Sequence, residues 1–319
     1  MQRLLNPALS LVVPVYRNES GIPDLLAALE WISDELQGDF EAVIVVDGSP
    51  DQCFSILREQ LPTRRFRSQL ALLSRNFGAF SAIRAGIEIA KGKVITVMAA
   101  DLQEPPELTL QFLSRLSGGE SDVVFGVRTQ RNDGWLTKIT SNLFWAAYRR
   151  YIMPEIPPGG VDIFGITAAF RDDLVKMSES NSSLVAQLFW LGGRRAFVEY
   201  ERKKRQHGRS AWTFSKKIRY LSDSVFAFTD LPVKVLIRFG FLALAVASIM
   251  ATVVIFAKVT GFVSVPGYAG TIVAIVFFGA LNSLGLGIVG TYAWRAFENS
   301  KARPLFLVQT QNEYGGTSK

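Results

Sequence analysis

Residues 94–107 read VITVMAADLQEPPE, an apolar run that passes into polar residues and then into a pair of prolines. The run Val94–Ala100 is rich in β-branched and apolar residues, which is typical of a strand buried on both faces of a sheet. Asp101 and Gln103 follow it directly, and a segment with helical periodicity begins near Pro105. The same order of strand, polar cluster and helix recurs from residue 9 onward and predicts an α/β fold.

Six strands are expected from this pattern, and helical segments separate the first five. Apolar strands that alternate with helices predict a mostly parallel, Rossmann-like sheet with helices on both faces. The expected strands are Leu9–Tyr16, Glu41–Asp47, Gln69–Ser74, Val94–Ala100, Asp122–Val127 and Phe164–Phe170, and the helices begin near Gly21, Asp51, Gly78 and Pro105.

Polar clusters follow the first four strands. A single Asp after a strand is usually a turn or capping residue. In a parallel sheet, however, the carboxyl ends of the strands share one edge, where ligands bind. We therefore expect one cleft lined by the four clusters Pro14–Glu19, Asp47–Asp51, Ser74–Gly78 and Asp101–Pro106.

Composition excludes several classes of protein. His207 is the only histidine, which excludes Ser-His-Asp hydrolases and two-histidine metal sites. Cys53 is the only cysteine, so there is no disulfide framework and no cysteine-based zinc site. No GxxxxGK[ST] stretch is present, which excludes a P-loop.

The hydrophobic residues concentrate near the carboxyl end. No formal charge occurs in Phe239–Ala257 or in Val259–Trp294, and about 20 apolar residues suffice for a helix to cross a bilayer. We expect two transmembrane helices, about 237–258 and 269–293, joined by a short hairpin.

Within the second, residues 285–290 match GxGxxG, but an apolar span is the wrong setting for a dinucleotide site. Small residues there favour helix packing, within one hairpin or in a homo-oligomer.

Charges around the two spans predict their orientation. The net charge is +7, and Lys and Arg flank the outer ends of both spans. Both termini and the amino-terminal domain are therefore expected in the cytoplasm, which for a bacterial protein means the inner face of the cell membrane.

Residues 211–232 are expected to form an amphipathic helix at the interface; packing on the catalytic domain is the alternative. The resulting domains are 1–210, the helix at 211–232, the hairpin at 233–296 and a cytoplasmic tail at 297–319.

The motifs together resemble family 2 glycosyltransferases, most closely the polyisoprenyl-phosphate branch that includes dolichyl-phosphate mannose synthase and bactoprenol glucosyltransferase. The resemblance covers essentially the whole chain. It is carried by Pro14-Val15-Tyr16-x-Asn18-Glu19, Asp47-Gly48-Ser49-x-Asp51, Leu73–Gly78, Asp101-x-Gln103-x-Pro105-Pro106, Gly126–Arg131, Gly160–Phe164 and Arg202…Arg205…Ser210-x-Trp212.

This resemblance implies a GT-A fold, a nucleotide-sugar donor (UDP-linked by expectation) and a polyprenyl phosphate acceptor on the cytoplasmic leaflet. The sugar would transfer with inversion. Donor-binding residues by this comparison are Pro14, Tyr16, Glu19, Asp47, Arg75, Asn76 and Gln103; acceptor-phosphate residues are Arg202, Arg205 and Ser210; catalytic residues are Asp101, Asp162, Arg128 and Arg131.

Two positions depart from the family pattern. Val46 stands where relatives carry an acidic or amide residue, and Ala99 stands where the first carboxylate of Asp-x-Asp is usual. The resemblance implies Mg²⁺ or Mn²⁺ at Asp101 and Gln103, and the loss at Ala99 leaves one carboxylate. The alternative is a degenerate transferase fold that serves as a membrane scaffold.

The chemistry does not require a histidine. A phosphate monoester has a second pKa of about 6, so the acceptor is already largely anionic at neutral pH. Residues 202–219 carry eight Lys or Arg and no Asp or Glu, which suits a lipid phosphate or an anionic lipid surface. Nucleic acid is excluded as a partner by the two spans, and two spans do not readily enclose the channel that a processive polysaccharide synthase needs.

Overall fold

The computed structural model describes residues 6–129, 145–146, 148–161, 163–179, 182–202, 214–260 and 268–316. The chain divides into two compact units. The first unit comprises Met1–Lys217 with Pro304–Lys319, and the second comprises Ile218–Arg303.

The first unit is built on one sheet of eight strands in the order β7-β5-β6-β4-β1-β2-β3-β8. Strands β1 to β5 and β7 run in one direction, whereas β6 and β8 run antiparallel to their neighbours. The carboxyl ends of six strands therefore lie along one edge. The strands are β1 Leu9–Val15, β2 Phe40–Val46, β3 Arg67–Leu73, β4 Val94–Val97, β5 Val123–Arg128, β6 Phe164–Thr167, β7 Arg195–Tyr200 and β8 Val308–Tyr314.

Helices cover the central strands, because those strands are apolar on both faces. Every residue of β2 is buried. Helix α3 lies close against β1 at Gly86, where an added Cβ would come within 2.3 Å of Val12 Cγ1. The helices of this unit are α1 Ile22–Glu35, α2 Cys53–Gln60, α3 Ala79–Ile89, α4 Glu107–Ser117, α5 Ala168–Leu174 and α6 Leu184–Trp190.

The six strands expected from the sequence are present, but two are shorter than expected. Strand β4 ends at Val97, and β6 ends at Thr167. The hydroxyl of Thr167 accepts a hydrogen bond from the backbone N–H of Phe170 at 3.3 Å and caps α5, so the apolar residues 168–170 are helical. Strands β7 and β8 were not expected from the sequence.

The second unit contains most of one shorter helix and two long helices. These are α7 Phe214–Phe228, α8 Leu231–Val259 and α9 Tyr268–Ser300. Both long helices extend beyond the expected bounds of 237–258 and 269–293. In the described part of the chain, one helical stretch, Leu231–Met250, is long and apolar enough to cross a membrane by length and composition.

Helix α7 packs on the carboxyl-terminal part of α9. Arg295 donates a hydrogen bond to Asp223 at 2.7 Å, and its guanidinium lies over the ring of Phe226. The rings of Phe226 and Tyr292 meet edge to face at 5.3 Å between centroids. The second half of α7 is thus held by an ion pair and by aromatic contacts within its own unit.

Candidate active site

The loops after β1 and β2 are joined by hydrogen bonds between side chains and backbone. The Ser49 hydroxyl accepts from the backbone N–H of Arg17 at 2.8 Å. Glu19 and Asp51 form reciprocal contacts: the Asp51 carboxylate accepts from the Glu19 N–H at 3.3 Å, and the Glu19 carboxylate accepts from the Gln52 N–H at 3.1 Å. These bonds fix the two loops in one arrangement.

Asp51 is held in its charged form by the same network. Burial pushes its pKa up, but hydrogen bonds from the Ser49 hydroxyl and from Cys53 outweigh burial, so the pKa of Asp51 lies below its usual value. Burial raises the pKa of the Cys53 thiol to about 12. The thiol is buried and protonated at neutral pH, which makes it unreactive.

Asp47 joins the end of β2 to the loop after β3. Its two carboxylate oxygens accept from the backbone N–H groups of Phe77 and Gly78 at 2.7 and 2.8 Å. Burial raises the pKa of Asp47, and these two N–H groups and the charge of Arg75 oppose that shift in part. The carboxylate is almost fully buried, at 2% exposure, so its evident role here is to hold the loop at 74–78.

Gly48 allows the same two loops to touch. Its φ is +54°, a conformation that favours glycine, and an added Cβ would lie 2.2 Å from the backbone carbon of Arg75. The side chain of Arg75 extends over the ring of Phe77 at 3.9 Å and is exposed, as is Asn76. Arg75 and Asn76, two of the residues expected to hold the donor, therefore face solvent from a fixed backbone.

Asn18 joins the end of β1 to the end of β4. Its side-chain amide donates to the carbonyl of Ala100 at 2.9 Å and is buried. Beyond Ala100 the chain turns at Leu102, which has a φ of +51°, and the backbone N–H of Gln103 approaches Asp101 Oδ1 at 3.4 Å. Asp101 and Gln103 are both half-buried at this turn.

Arg202 joins the end of β7 to the turn after β4. Its guanidinium donates a hydrogen bond to Gln103 Oε1, and its Nε lies 3.8 Å from a carboxylate oxygen of Glu104. Glu104 is 2% exposed, so Arg202 balances a buried carboxylate. Arg128, at the end of β5, is in register with Tyr200 at the end of β7.

The expected convergence on one cleft agrees with this geometry, since the ends of β1 to β5 and β7 lie along the same edge and are tied by the bonds above. Tyr16 is 37% exposed beside Arg17, and Pro14 is half-buried in β1. The expected residues Arg131, Asp162, Arg205 and Ser210 lie outside the described residues.

Three residues to which the sequence assigned no role take part in this edge. Ser49 and Asn18 hold loops together, and Glu104 carries the buried charge that Arg202 faces. The signal for Glu104 was its place in the same polar cluster as Asp101. A cavity of about 420 Å³ beside this edge is lined by Pro105, Glu107, Leu108, Gln111, Glu199, Tyr200, Glu201 and Arg202.

The protein oxygens at this site could hold a divalent cation only together with oxygens of a bound substrate. No group of three or more His, Cys, Asp or Glu is placed to hold a metal ion within the described ranges. Asp101 offers a hard carboxylate, whereas the amide oxygen of Gln103 already accepts from Arg202. Mg²⁺ commonly uses one or two carboxylates and completes its shell with phosphates and water. Asp101 together with a diphosphate would fit such an ion.

The fold places this chain among GT-A proteins. A mannosyltransferase from Pyrobaculum calidifontis, solved with GDP-Man and Mn²⁺, superimposes with a TM-score of 0.50 at 16% identity, over 92% of this chain and 85% of that one. At this identity the comparison establishes the Rossmann-like GT-A sheet.

The sequence places the chain more narrowly. Residues 10–177 match the model of "Glycosyl transferase family 2". An uncharacterized glycosyltransferase of Synechocystis sp. is 32% identical over 301 residues, which covers 94% of each chain. An undecaprenyl-phosphate 4-deoxy-4-formamido-L-arabinose transferase of Pseudomonas fluorescens is 28% identical over 94% of this chain and 88% of its own. The chain belongs to glycosyltransferase family 2, and it is a glycosyltransferase; the expected resemblance is confirmed.

Proposed function

We propose that the protein transfers a sugar from a nucleotide-sugar, UDP-linked by expectation, to a polyprenyl phosphate at the cytoplasmic face of a membrane, with inversion. The observation that carries the proposal is the hydrogen bond from Arg202 to Gln103. It puts the basic group expected at the acceptor phosphate beside the polar group expected at the donor diphosphate.

The chemistry needs charge stabilisation more than it needs a base. The acceptor phosphate is mostly anionic at neutral pH, so it can attack the anomeric carbon without losing a proton first. The leaving nucleoside diphosphate gains charge as the sugar departs, and fixed cationic groups stabilise that charge. Arg128 and Arg202, at the ends of two neighbouring strands, are the described basic groups proposed for this work.

Asp101 would hold the divalent cation, which would act as a Lewis acid on the donor diphosphate. Gln103 would not bind the cation in this scheme. Its amide oxygen accepts a hydrogen bond from Arg202 and would orient that guanidinium. The missing carboxylate at Ala99 is consistent with this division: charge is supplied by a guanidinium as well as by a cation.

Two features support a membrane-anchored enzyme. The stretch Leu231–Met250 of α8 has a mean hydropathy of 2.0. Strand β8, which follows both long helices, pairs with β3 in the amino-terminal sheet. If α8 crosses the bilayer, the chain has to return before residue 308 so that β8 can join that sheet, and α9 is the described helix available for the return.

The acceptor class is supported by two further observations. The Pseudomonas relative is named for undecaprenyl phosphate, and residues 202–219 provide eight basic residues just before α8. We propose that α7 lies at the interface on anionic lipid, and that small residues in α9 allow protomers to associate.

The direct test uses the protein in membranes with a panel of labelled nucleotide-sugars and a polyprenyl phosphate. We expect lipid-extractable label with one donor, and none with Asp101→Asn. Asp122→Asn is the matched control, since Asp122 lies at the amino end of β5, away from the site edge, and should retain activity. Absence of labelled lipid with every donor, from protein that binds a nucleotide, would contradict the proposal.

A further inference from the structure

We propose that the carboxyl-terminal strand β8 positions the donor site, through a hydrogen bond from the backbone N–H of Ser74 to the carbonyl of Leu307. We call residues Ser74–Gly78 the donor loop. The inference rests on the proposed function, because the nucleotide-sugar is the donor proposed there and the family resemblance assigns Arg75 and Asn76 of this loop to it.

The contact itself is a backbone bond at the end of a strand. The N–H of Ser74 donates to the oxygen of Leu307 at 2.9 Å. Leu73, the last residue of β3, is in register with Val308, the first residue of β8, and the register shifts between Leu72 and Leu73. The ladder between β3 and β8 thus continues to the first residue of the donor loop.

Strand β8 is anchored along its length. Gln311 donates to Gln69 at 3.0 Å, and the amide of Gln69 donates in turn to the buried carboxylate of Glu41 at 2.9 Å. At the far end Glu313 pairs with Lys91, and Tyr314 packs against the core. A strand held at several points can hold a loop in place at its other end.

The donor loop has two supports, and β8 supplies one of them. The Asp47 carboxylate accepts hydrogen bonds from the N–H groups of Phe77 and Gly78. Leu307 holds Ser74, at the opposite end of the loop. Without β8, strand β3 becomes an edge strand and Ser74 loses its partner, so Arg75 and Asn76 would have to be ordered when the ligand binds. Ordering a loop on binding lowers affinity.

The position of β8 in the chain has a consequence for assembly. Residues 301–307 alone separate the end of α9 from β8. The donor site is therefore complete only when the chain has emerged from its last long helix and has returned to the sheet. Leu307 is a positioning residue in this scheme, since only its backbone carbonyl acts and it acts through Ser74.

The test compares the full chain with a chain that ends at Arg303, which lacks β8, and with one that ends at Gly316, which retains it. Binding of UDP and GDP is measured by calorimetry, and hydrogen exchange is followed over residues 73–78. We expect the chain ending at Arg303 to bind the nucleotide at least about tenfold more weakly and to lose protection in the donor loop. The chain ending at Gly316 should match the full chain.

A peptide of residues 304–319, added to the shortened chain, separates positioning from misfolding. We expect the peptide to restore both affinity and protection, and a scrambled peptide to restore neither. Nucleotide affinity equal to that of the full chain after loss of β8, or loss that the peptide does not restore, would overturn the inference. If the full chain binds neither nucleotide, the proposed function fails instead.

Discussion

The guanidinium of Arg202 donates a hydrogen bond to the amide oxygen of Gln103, and this bond links the ends of β7 and β4 across the sheet edge. The two residues are far apart in the chain, and the resemblance assigned them to different substrates. Under the proposed function, this contact would put the acceptor phosphate and the donor diphosphate in one electrostatic environment.

Arg202→Ala should raise the KM for polyprenyl phosphate by about ten- to hundredfold, since a hydrogen bond to a charged group contributes about 1.5–3 kcal/mol. Gln103→Ala should produce a smaller change in the same direction, because it removes one partner of Arg202 and leaves the ion pair with Glu104. The free-energy change calculated from the acceptor KM of the double variant should be smaller than the sum of the changes in the two single variants, as measured by steady-state kinetics.

Arg194→Ala is the matched control for this cycle. Arg194 pairs with Asp122 on the exposed surface and has no contact with Gln103 or Glu104 among the bonds described. Additive effects of Arg202→Ala and Gln103→Ala on the acceptor KM would show that the contact does not matter for the acceptor.

Asp47→Asn should weaken nucleotide binding while the protein stays folded. The amide would place an N–H group against the backbone N–H of Phe77 or Gly78, and a buried donor left without an acceptor costs about 1–3 kcal/mol. We expect a loss of about tenfold in UDP or GDP affinity, measured by calorimetry, and faster hydrogen exchange in the donor loop.

The pH dependence follows from the direction of the Asp47 shift. Burial raises the pKa of Asp47, so its protonation begins at a higher pH than for an exposed Asp. The contribution of Asp47 to the free energy of unfolding is therefore largest at low pH, and it is lost as the pH rises through the raised pKa. The effect on loop support has the opposite sign, because protonation removes a charged acceptor from the N–H groups of Phe77 and Gly78. Nucleotide affinity should therefore fall as the pH is lowered through the raised pKa of Asp47, at a higher pH than for an exposed Asp, and should fall less in Asp47→Asn. Identical pH profiles would contradict the assignment.

Metal and nucleotide should bind together. Asp101 alone would give weak affinity for Mn²⁺, and the donor phosphates would complete the shell, so Mn²⁺ titrations should show tight binding only with nucleotide present. Ala99→Asp should raise Mn²⁺ affinity without nucleotide. Undiminished transfer in excess chelator would show that no divalent cation takes part.

Cysteine labelling tests the hairpin. Cys53 is buried with a pKa of about 12, so the native protein should not react with an impermeant maleimide at neutral pH. Ser264→Cys, between the two long helices, should react in intact cells, whereas Ser318→Cys should react only after permeabilisation. Labelling of both from the same side would exclude two crossings.

Local sequence patterns were sufficient to predict the strands of the central sheet. The strands β1 to β5 are buried on both faces, so each carries its own apolar signal, and the polar clusters mark their ends. The convergence of those clusters followed from the parallel arrangement alone. Bonds such as Asn18 to Ala100 could not be predicted, because they depend on loop conformations that the pattern does not specify.

The two missed strands lie at the edges of the sheet. Strand β8 reads VQTQNEY and is largely polar, since it has one neighbour and a solvated face. Its partner β3 lies more than 230 residues earlier in the chain. Strand β7 is likewise only partly buried. Such strands are defined by tertiary pairing, and Arg202 was placed beside Gln103 only by knowing where β7 runs.

The central claim is that the sugar passes to a phosphate oxygen of a polyprenyl phosphate. The most direct measurement incubates the protein with its labelled nucleotide-sugar and either a polyprenyl phosphate or the same polyprenol without phosphate, and identifies the product by mass spectrometry. We predict one product, a polyprenyl monophosphate sugar of inverted anomeric configuration, formed only from the phosphorylated lipid. A glycosylated polyprenol without phosphate, or equal transfer to both lipids, would contradict the account.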